Sequence, residues 1–355
     1  MSSKLRVLNV DDSTYVRLVL SRMLGDADDL EVVGQAADGA EGIRLARKLK
    51  PDVITLDIEM PMVDGLEFLR RLMPENPIPV VMLSSLTQAG AEPTLEALSL
   101  GAVDFVGKPG SAGVPDLETV RRQLLKKVRA AAGASVTVSG AAATRRRKKP
   151  PPPRPPADTN CPCILVAAST GGPQTLDAIF TSLPGDIPAC FAITQHIPAS
   201  FSRVLAERLD RKCALDIHQA EDGDVLRRGT ALVAPGDYHM IIGPRGIVHL
   251  STDSEVWGVR PAADPMMSSA AKNLGQPLVG LVLTGMGRDG AEGCIAIKKA
   301  GGRVFAEDEK SCVIYGMPKV VRETGCCDRM LPLDEIPRHL VHVARELKAA
   351  HRRSA

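Results

Sequence analysis

The sequence predicts an α/β protein built from two doubly wound parallel-sheet domains, and three observations carry that prediction. Short apolar runs alternate with helix-spaced patterns over the first 130 residues. The same alternation resumes near residue 160 and continues towards the end of the chain. A single sharp break in composition separates the two stretches. Strands that alternate with helices are the signature of parallel sheets joined by crossover connections.

The apolar run Leu5–Val10 and those at 32–36, 53–56, 80–83 and 104–106 predict five strands. Between the first two, Val16, Val19, Leu20, Met23 and Leu24 fall on one helical face, and Leu117, Val120, Leu124 and Val128 predict a closing helix. Residues 131–144 are Ala, Gly, Ser, Thr and Val; Arg145-Arg146-Arg147-Lys148-Lys149 and six prolines within 150–156 follow. Such a stretch cannot build a core and reads as a solvated, partly polyproline-II linker. Runs at 163–167, 190–194, 231–234, 278–284 and 303–306 predict the strands of the second domain. The expected boundaries are 1–130, a linker at 131–160, and 161–350.

Composition narrows the function classes. Hydrophobic residues make up 44% and charged residues 24%, so a disordered or fibrous chain is excluded. A net charge of +2 gives no global drive towards nucleic acid or an anionic membrane. No signal-peptide pattern opens the sequence and no run approaches the roughly 20 apolar residues of a spanning helix, which predicts a cytoplasmic protein. The eight cysteines all lie between Cys161 and Cys327 without zinc-ribbon spacing, and read as small buried hydrophobes.

Ligands of open parallel sheets gather at the carboxyl ends of the strands. In the first domain those ends carry Asp11-Asp12, Asp57, Ser84-Ser85 and Lys108-Pro109. Three converging carboxylates repel one another unless a cation joins them, and hard oxygen donors suit Mg²⁺. Lys108 is a fixed positive charge for an oxyanion, and the Ser84 hydroxyl can sense it. The set suits phosphorylation of Asp57. Here residues 4–128 resemble response-regulator receiver domains. The resemblance implies a phosphoacceptor Asp57, and a metal site of Asp11, Asp12, Asp57 and the Glu59 main chain. It also implies a switch of Ser84, Phe105 and Lys108, a usually cis proline after Lys108, and a histidine kinase as phosphoryl donor.

In the second domain, one predicted strand runs into Ala168-Ser169-Thr170-Gly171-Gly172-Pro173. A second ends in Gln195-His196-Ile197-Pro198, and a third in Thr284-Gly285-Met286-Gly287-Arg288-Asp289-Gly290. A serine, a histidine and an acid just beyond three strands supply a nucleophile, its base and the group that orients the base. Main-chain amides beginning at Thr170, and a second from the turn at Met286, are candidate oxyanion donors. His239 competes with His196 as the base, and Asp237 and Asp264 with Asp289 as the acid; the remaining histidines read as surface residues. The segment 169–172 alone fits a phosphate cradle equally well. The G-x-G-x-x-G, P-loop and G-x-S-x-G patterns are all absent, Ala167 standing at the first glycine of the last.

With those segments, and with Val233-Ala234-Pro235-Gly236, Arg260-Pro261-Ala262-Ala263-Asp264 and Tyr315-Gly316-Met317-Pro318, the chain resembles the CheB-type chemotaxis response regulators that are protein-glutamate methylesterases/glutamine deamidases. The resemblance implies a flavodoxin-like receiver and a Rossmann-like methylesterase domain. It implies the triad Ser169, His196 and Asp289, with oxyanion amides at Thr170 and Met286 and no cofactor for hydrolysis. The implied substrates are glutamate methyl esters on chemoreceptor signalling helices, with glutamine deamidation alongside and recruitment to receptor clusters. Receiver control of the hydrolase is expected to come through packing over the catalytic cleft. The competing readings are a catalytically silent, receiver-controlled interaction protein and a receiver with a nucleotide-binding output; a DNA-binding output lacks a helix-turn-helix with a basic face.

Overall fold

A computed structural model describes residues 4–110, 116–135 and 160–354, and the chain divides into two compact units, Met1–Ala141 and Ala142–Ala355. The basic, proline-rich run at 145–156 lies outside the described residues.

The first unit has five strands: β1 (Leu5–Val10), β2 (Leu30–Ala36), β3 (Val53–Asp57), β4 (Val80–Ser84) and β5 (Asp104–Gly107). They pair in parallel in the order β2-β1-β3-β4-β5. The crossovers are α1 (Thr14–Gly25), α2 (Gly39–Leu49), α3 (Gly65–Leu72) and α4 (Gln88–Ser99), and α5 (Leu117–Ala132) closes the unit. Ser13, Asp38 and Asp64 start three of these helices by accepting amides of the first turn. Every residue of β3 and β4 is buried, as expected of central strands covered on both faces. The order reverses at β1 and β3, so the loops after these strands diverge and leave a crevice at their carboxyl ends. The Lys108–Pro109 bond is trans where the resemblance implied cis; the chain turns instead at Gly110, where φ is +83°.

The second unit has seven parallel strands in the order β14-β13-β12-β6-β7-β9-β8. They are β6 (Cys163–Ala168), β7 (Cys190–Gln195), β8 (Asp216–Gln219), β9 (Thr230–Val233), β12 (Leu278–Val282), β13 (Arg303–Glu307) and β14 (Arg329–Leu331). A separate antiparallel hairpin joins β10 (His239–Ile242) to β11 (Val248–Ser251). The helices are α6 (Gly172–Ser182), α7 (Ala199–Lys212), α8 (Ala263–Asn273), α9 (Ala291–Lys299), α10 (Met317–Glu323) and α11 (Ile336–Ser354). The sheet reverses between β6 and β12, and both neighbours of that junction end beside it.

The predicted strand at 278–284 is two residues too long. The Leu283 N–H still donates to the Ala167 carbonyl at 2.9 Å, and the chain then peels away, with the Thr284 amide donating to Glu307 Oε2 at 2.8 Å. Seven of the eight cysteines are buried, and several sit among the aliphatic residues of this core. His339, expected at the surface, is instead half-buried with its ring edge-on to Phe305 at 4.6 Å, and burial pulls its pKa down. No helix among the described residues is long and apolar enough to cross a membrane.

Candidate active site and phosphoacceptor pocket

In the first unit, Asp11 and Asp12 follow β1, Asp57 ends β3 and Lys108 follows β5. Lys108 Nζ donates to Asp57 Oδ2 at 2.6 Å. It lies 3.2 Å from Asp11 Oδ2, an ion pair without hydrogen-bond geometry. Carboxylate oxygens of Asp11, Asp12 and Asp57 lie within 4.8 Å of one another. Burial pushes Asp57 up to about 6 against the pull of the Lys108 bond, and the Asp11 and Asp12 charges add to the rise. Glu59 lies in the loop two residues beyond Asp57, and no group among the described residues donates to its carbonyl. Ser84 ends β4, but its hydroxyl is bonded to Thr94 Oγ1 at 2.7 Å and to the Ser85 carbonyl at 3.1 Å, not to Asp57. Phe105 is buried in β5, with Lys127 Nζ 4.9 Å from the centre of its ring.

In the second unit, Ser169 follows β6, His196 follows β7 and Asp289 lies in the loop between β12 and α9. His196 Nε2 meets Asp289 Oδ2 at 2.7 Å. Asp289 is buried and collects further donors: Ala263 N–H on Oδ2 at 2.6 Å, and Asp264 N–H and Gly290 N–H on Oδ1, each at 3.0 Å. Ala263 and Asp264 open α8, so the amides that a helix cannot satisfy internally are spent on this carboxylate. Burial alone would raise Asp289; the His196 bond and charge and the α8 amides hold it below the ordinary carboxylate range.

Ser169 is tied down by its main chain. Its N–H donates to the Thr284 carbonyl at 3.0 Å, and its carbonyl accepts Gln195 Nε2 at 2.9 Å. Gln195 Nε2 also reaches the His196 carbonyl at 3.1 Å, so one amide spans the serine and histidine loops. The loop after β12 abuts Ser169 closely: a Cβ on Gly285 would lie 2.7 Å from Ser169 Cβ. That contact brings the Met286 turn close to Ser169, and no group among the described residues accepts the Met286 N–H. Ser169 Oγ makes no hydrogen bond among the described residues, and neither does His196 Nδ1.

The rival residues fall elsewhere. His239 is buried with both nitrogens engaged: Nδ1 accepts the Ala262 N–H and Nε2 meets the Ser254 carbonyl, each at 3.1 Å. No lone pair remains on it for a proton from serine. Asp237 is exposed in a left-handed turn. Asp264 accepts the Trp257 indole N–H and the Gly293 amide. The two glycines after Ser169 serve close packing, because a Cβ at Gly171 would strike Val313 and one at Gly172 would strike Gln195. A phosphate cradle needs these amides free, and the Gly172 N–H is taken by the Ser169 carbonyl at 2.8 Å.

Glu307 escaped the sequence reading. It ends β13, is fully buried, and its Oε1 has no partner among the described residues. Burial pushes it up to about 7. Only its place at a strand end beside the glycine-rich loop hinted at it.

Residues 164–340 match the family described as CheB methylesterase, and residues 7–114 match the response regulator receiver domain. A "Protein-glutamate methylesterase/protein-glutamine glutaminase" of Pyrococcus abyssi is 44% identical over 97% of this chain and 95% of its own length. One of Symbiobacterium thermophilum is 44% identical over 94% of this chain and 95% of its own. The crystal structure of the Thermotoga maritima CheB methylesterase catalytic domain is 38% identical, with a TM-score of 0.50 over 52% of this chain and 98% of that one.

Proposed function

The chain belongs to the CheB methylesterase family and carries a receiver domain, and from that premise we propose a phosphorylation-activated hydrolase of protein glutamate methyl esters with Ser169 as its nucleophile. The observation that carries this reading is the His196–Asp289 pair at 2.7 Å beside Ser169, with Nδ1 of the same ring left for the serine proton.

In the proposed reaction Ser169 Oγ attacks the ester carbonyl carbon and His196 Nδ1 takes its proton. Asp289 holds Nε2–H and stabilises the imidazolium. The Thr170 and Met286 amides receive the charge on the carbonyl oxygen; losing one such donor typically costs about 3 kcal/mol. The bond to methoxide breaks as His196 returns the proton, releasing methanol. A water then attacks the acyl-enzyme with His196 again as base, leaving glutamate and free Ser169. The same sequence with ammonia as leaving group deamidates glutamine. The substrates are methylated chemoreceptor helices, and the enzyme works in the cytoplasm at receptor clusters.

Asp57 is the phosphoacceptor in this reading, with a histidine kinase as donor. Three carboxylates facing one ammonium leave the pocket short of positive charge, and their oxygens fit Mg²⁺. Asp11, Asp12, Asp57 and the Glu59 carbonyl would hold the ion, which supplies charge neutralisation for phosphoryl transfer. Lys108 holds the phosphoryl oxygens, and Ser84 turns from Thr94 to meet them while Phe105 repacks.

Replacing Ser169 with Ala is expected to abolish methanol release from methylated receptors while circular dichroism and thermal unfolding stay those of the parent. Undiminished release by that variant contradicts the assignment.

A further inference from the structure

Beside the proposed catalytic loop stands an arrangement the hydrolytic steps do not use. Residues 256–259 form a tight antiparallel turn closed by Val256 and Val259, whose amides and carbonyls pair at 3.2 and 3.1 Å. Its two central residues, Trp257 and Gly258, both have positive φ, +57° and +73°. That turn favours Asn and Gly at both centres, and a bulky residue in the left-handed region is strained. The indole is also 46% exposed, so burial does not offset the strain. Strain kept at an exposed aromatic points to a use.

Two contacts fix the ring. Its N–H donates to Asp264 Oδ2 at 2.8 Å, and the other oxygen of Asp264 accepts the Gly293 amide at 2.8 Å. The Asp264 amide in turn donates to Asp289, so the tryptophan is anchored to the residue beside the catalytic carboxylate. Over the ring, 4.4 Å from its centre, lies the Arg288 guanidinium. Arg288 directly precedes Asp289 and lies two residues beyond Met286. It is exposed, and no carboxylate among the described residues pairs with it. A guanidinium held over an indole face by cation–π attraction still has its N–H donors to offer, and a pair of such donors is what bidentate recognition of a carboxylate requires.

We propose that Arg288, oriented by Trp257, is a specificity subsite that takes an acidic side chain of the substrate helix next to the esterified glutamate. On a helix such a neighbour stands one turn away, at i±4. The subsite would bias the enzyme towards esters set among other acids. This inference rests on the hydrolase reading of Ser169 and extends it to the choice of substrate.

The test uses the full chain and two helical peptides carrying one glutamate γ-methyl ester, flanked four residues before and after by Glu in one peptide and Gln in the other. The parent is expected to favour the Glu-flanked peptide in kcat/KM by about tenfold, with the preference shrinking as salt rises. Arg288→Ala is expected to bring the ratio near one, and Arg288→Lys to restore part of it. The ratio is internal to each variant, so loss of folded enzyme does not move it. An unchanged preference in Arg288→Ala, or no preference in the parent, overturns the subsite. Failure of the hydrolase reading looks different: the parent would release methanol from neither peptide, and the subsite would fall with it.

Discussion

Asp289 is the residue on which the proposed chemistry turns. It takes four donors, three of them main-chain amides, and all four need an acceptor. Asp289→Asn would put an amide NH₂ against those N–H groups and withdraw the charge that stabilises the imidazolium. Methanol release should fall by about three orders of magnitude or more, with a lowered unfolding midpoint. Ser169 and His196 follow apolar strands, but that position alone left the serine loop open to a phosphate cradle and His239 open as a base; only the serine, histidine and acid taken together pointed to a hydrolase. The sequence already favoured Asp289 over Asp264; what it could not show is that the amides around Asp289 come from a helix twenty-five residues earlier. Glu307 was not legible, since one buried acid in a strand has no motif. It makes a definite prediction. Burial raises it from near 4.5 to about 7, so the folded protein keeps a proton that the unfolded chain releases between those values. Its stabilising effect is therefore full below pH 4.5 and lost as pH rises through 7. The unfolding temperature of the catalytic unit should drop between about pH 5 and pH 8, and Glu307→Gln should flatten that slope.

At the scale of elements, the site exists because strand ends converge where the sheet reverses. The central strands were readable, because buried parallel strands are continuous apolar runs. The edge strands of the second sheet were not: β8 is mostly exposed or half-buried, and β14 has three residues. The β10–β11 hairpin was missed for want of a two-residue Asn-Gly or Asp-Gly turn. The turn after β6 bears the sharpest constraint. Gln195 bridges the serine and histidine loops, and a Cβ at Gly172 would drive into its side-chain oxygen. Gly172→Ala should displace Gln195, loosen both loops and lower kcat by about a hundredfold while the protein still folds. A crystal structure of the variant, read for the Gln195 rotamer, checks the cause.

At the scale of the whole molecule, the claim is that phosphorylation of one unit sets the activity of the other. A modification shifts a population only by its differential free energy for the two states. In the receiver, Ser84 is bonded to Thr94 and Lys108 to Asp57, so a phosphoryl group at Asp57 has partners to recruit from both. If the receiver restrains the hydrolase, removal of residues 1–140 should speed hydrolysis above the unphosphorylated full chain; a fragment no faster contradicts restraint. The most direct measurement is methanol release from methyl-labelled receptors by the full chain, with and without acetyl phosphate. The account predicts release that rises with acetyl phosphate, does not rise in Asp57→Asn, and vanishes in Ser169→Ala. Release by Ser169→Ala at the parent rate would contradict it.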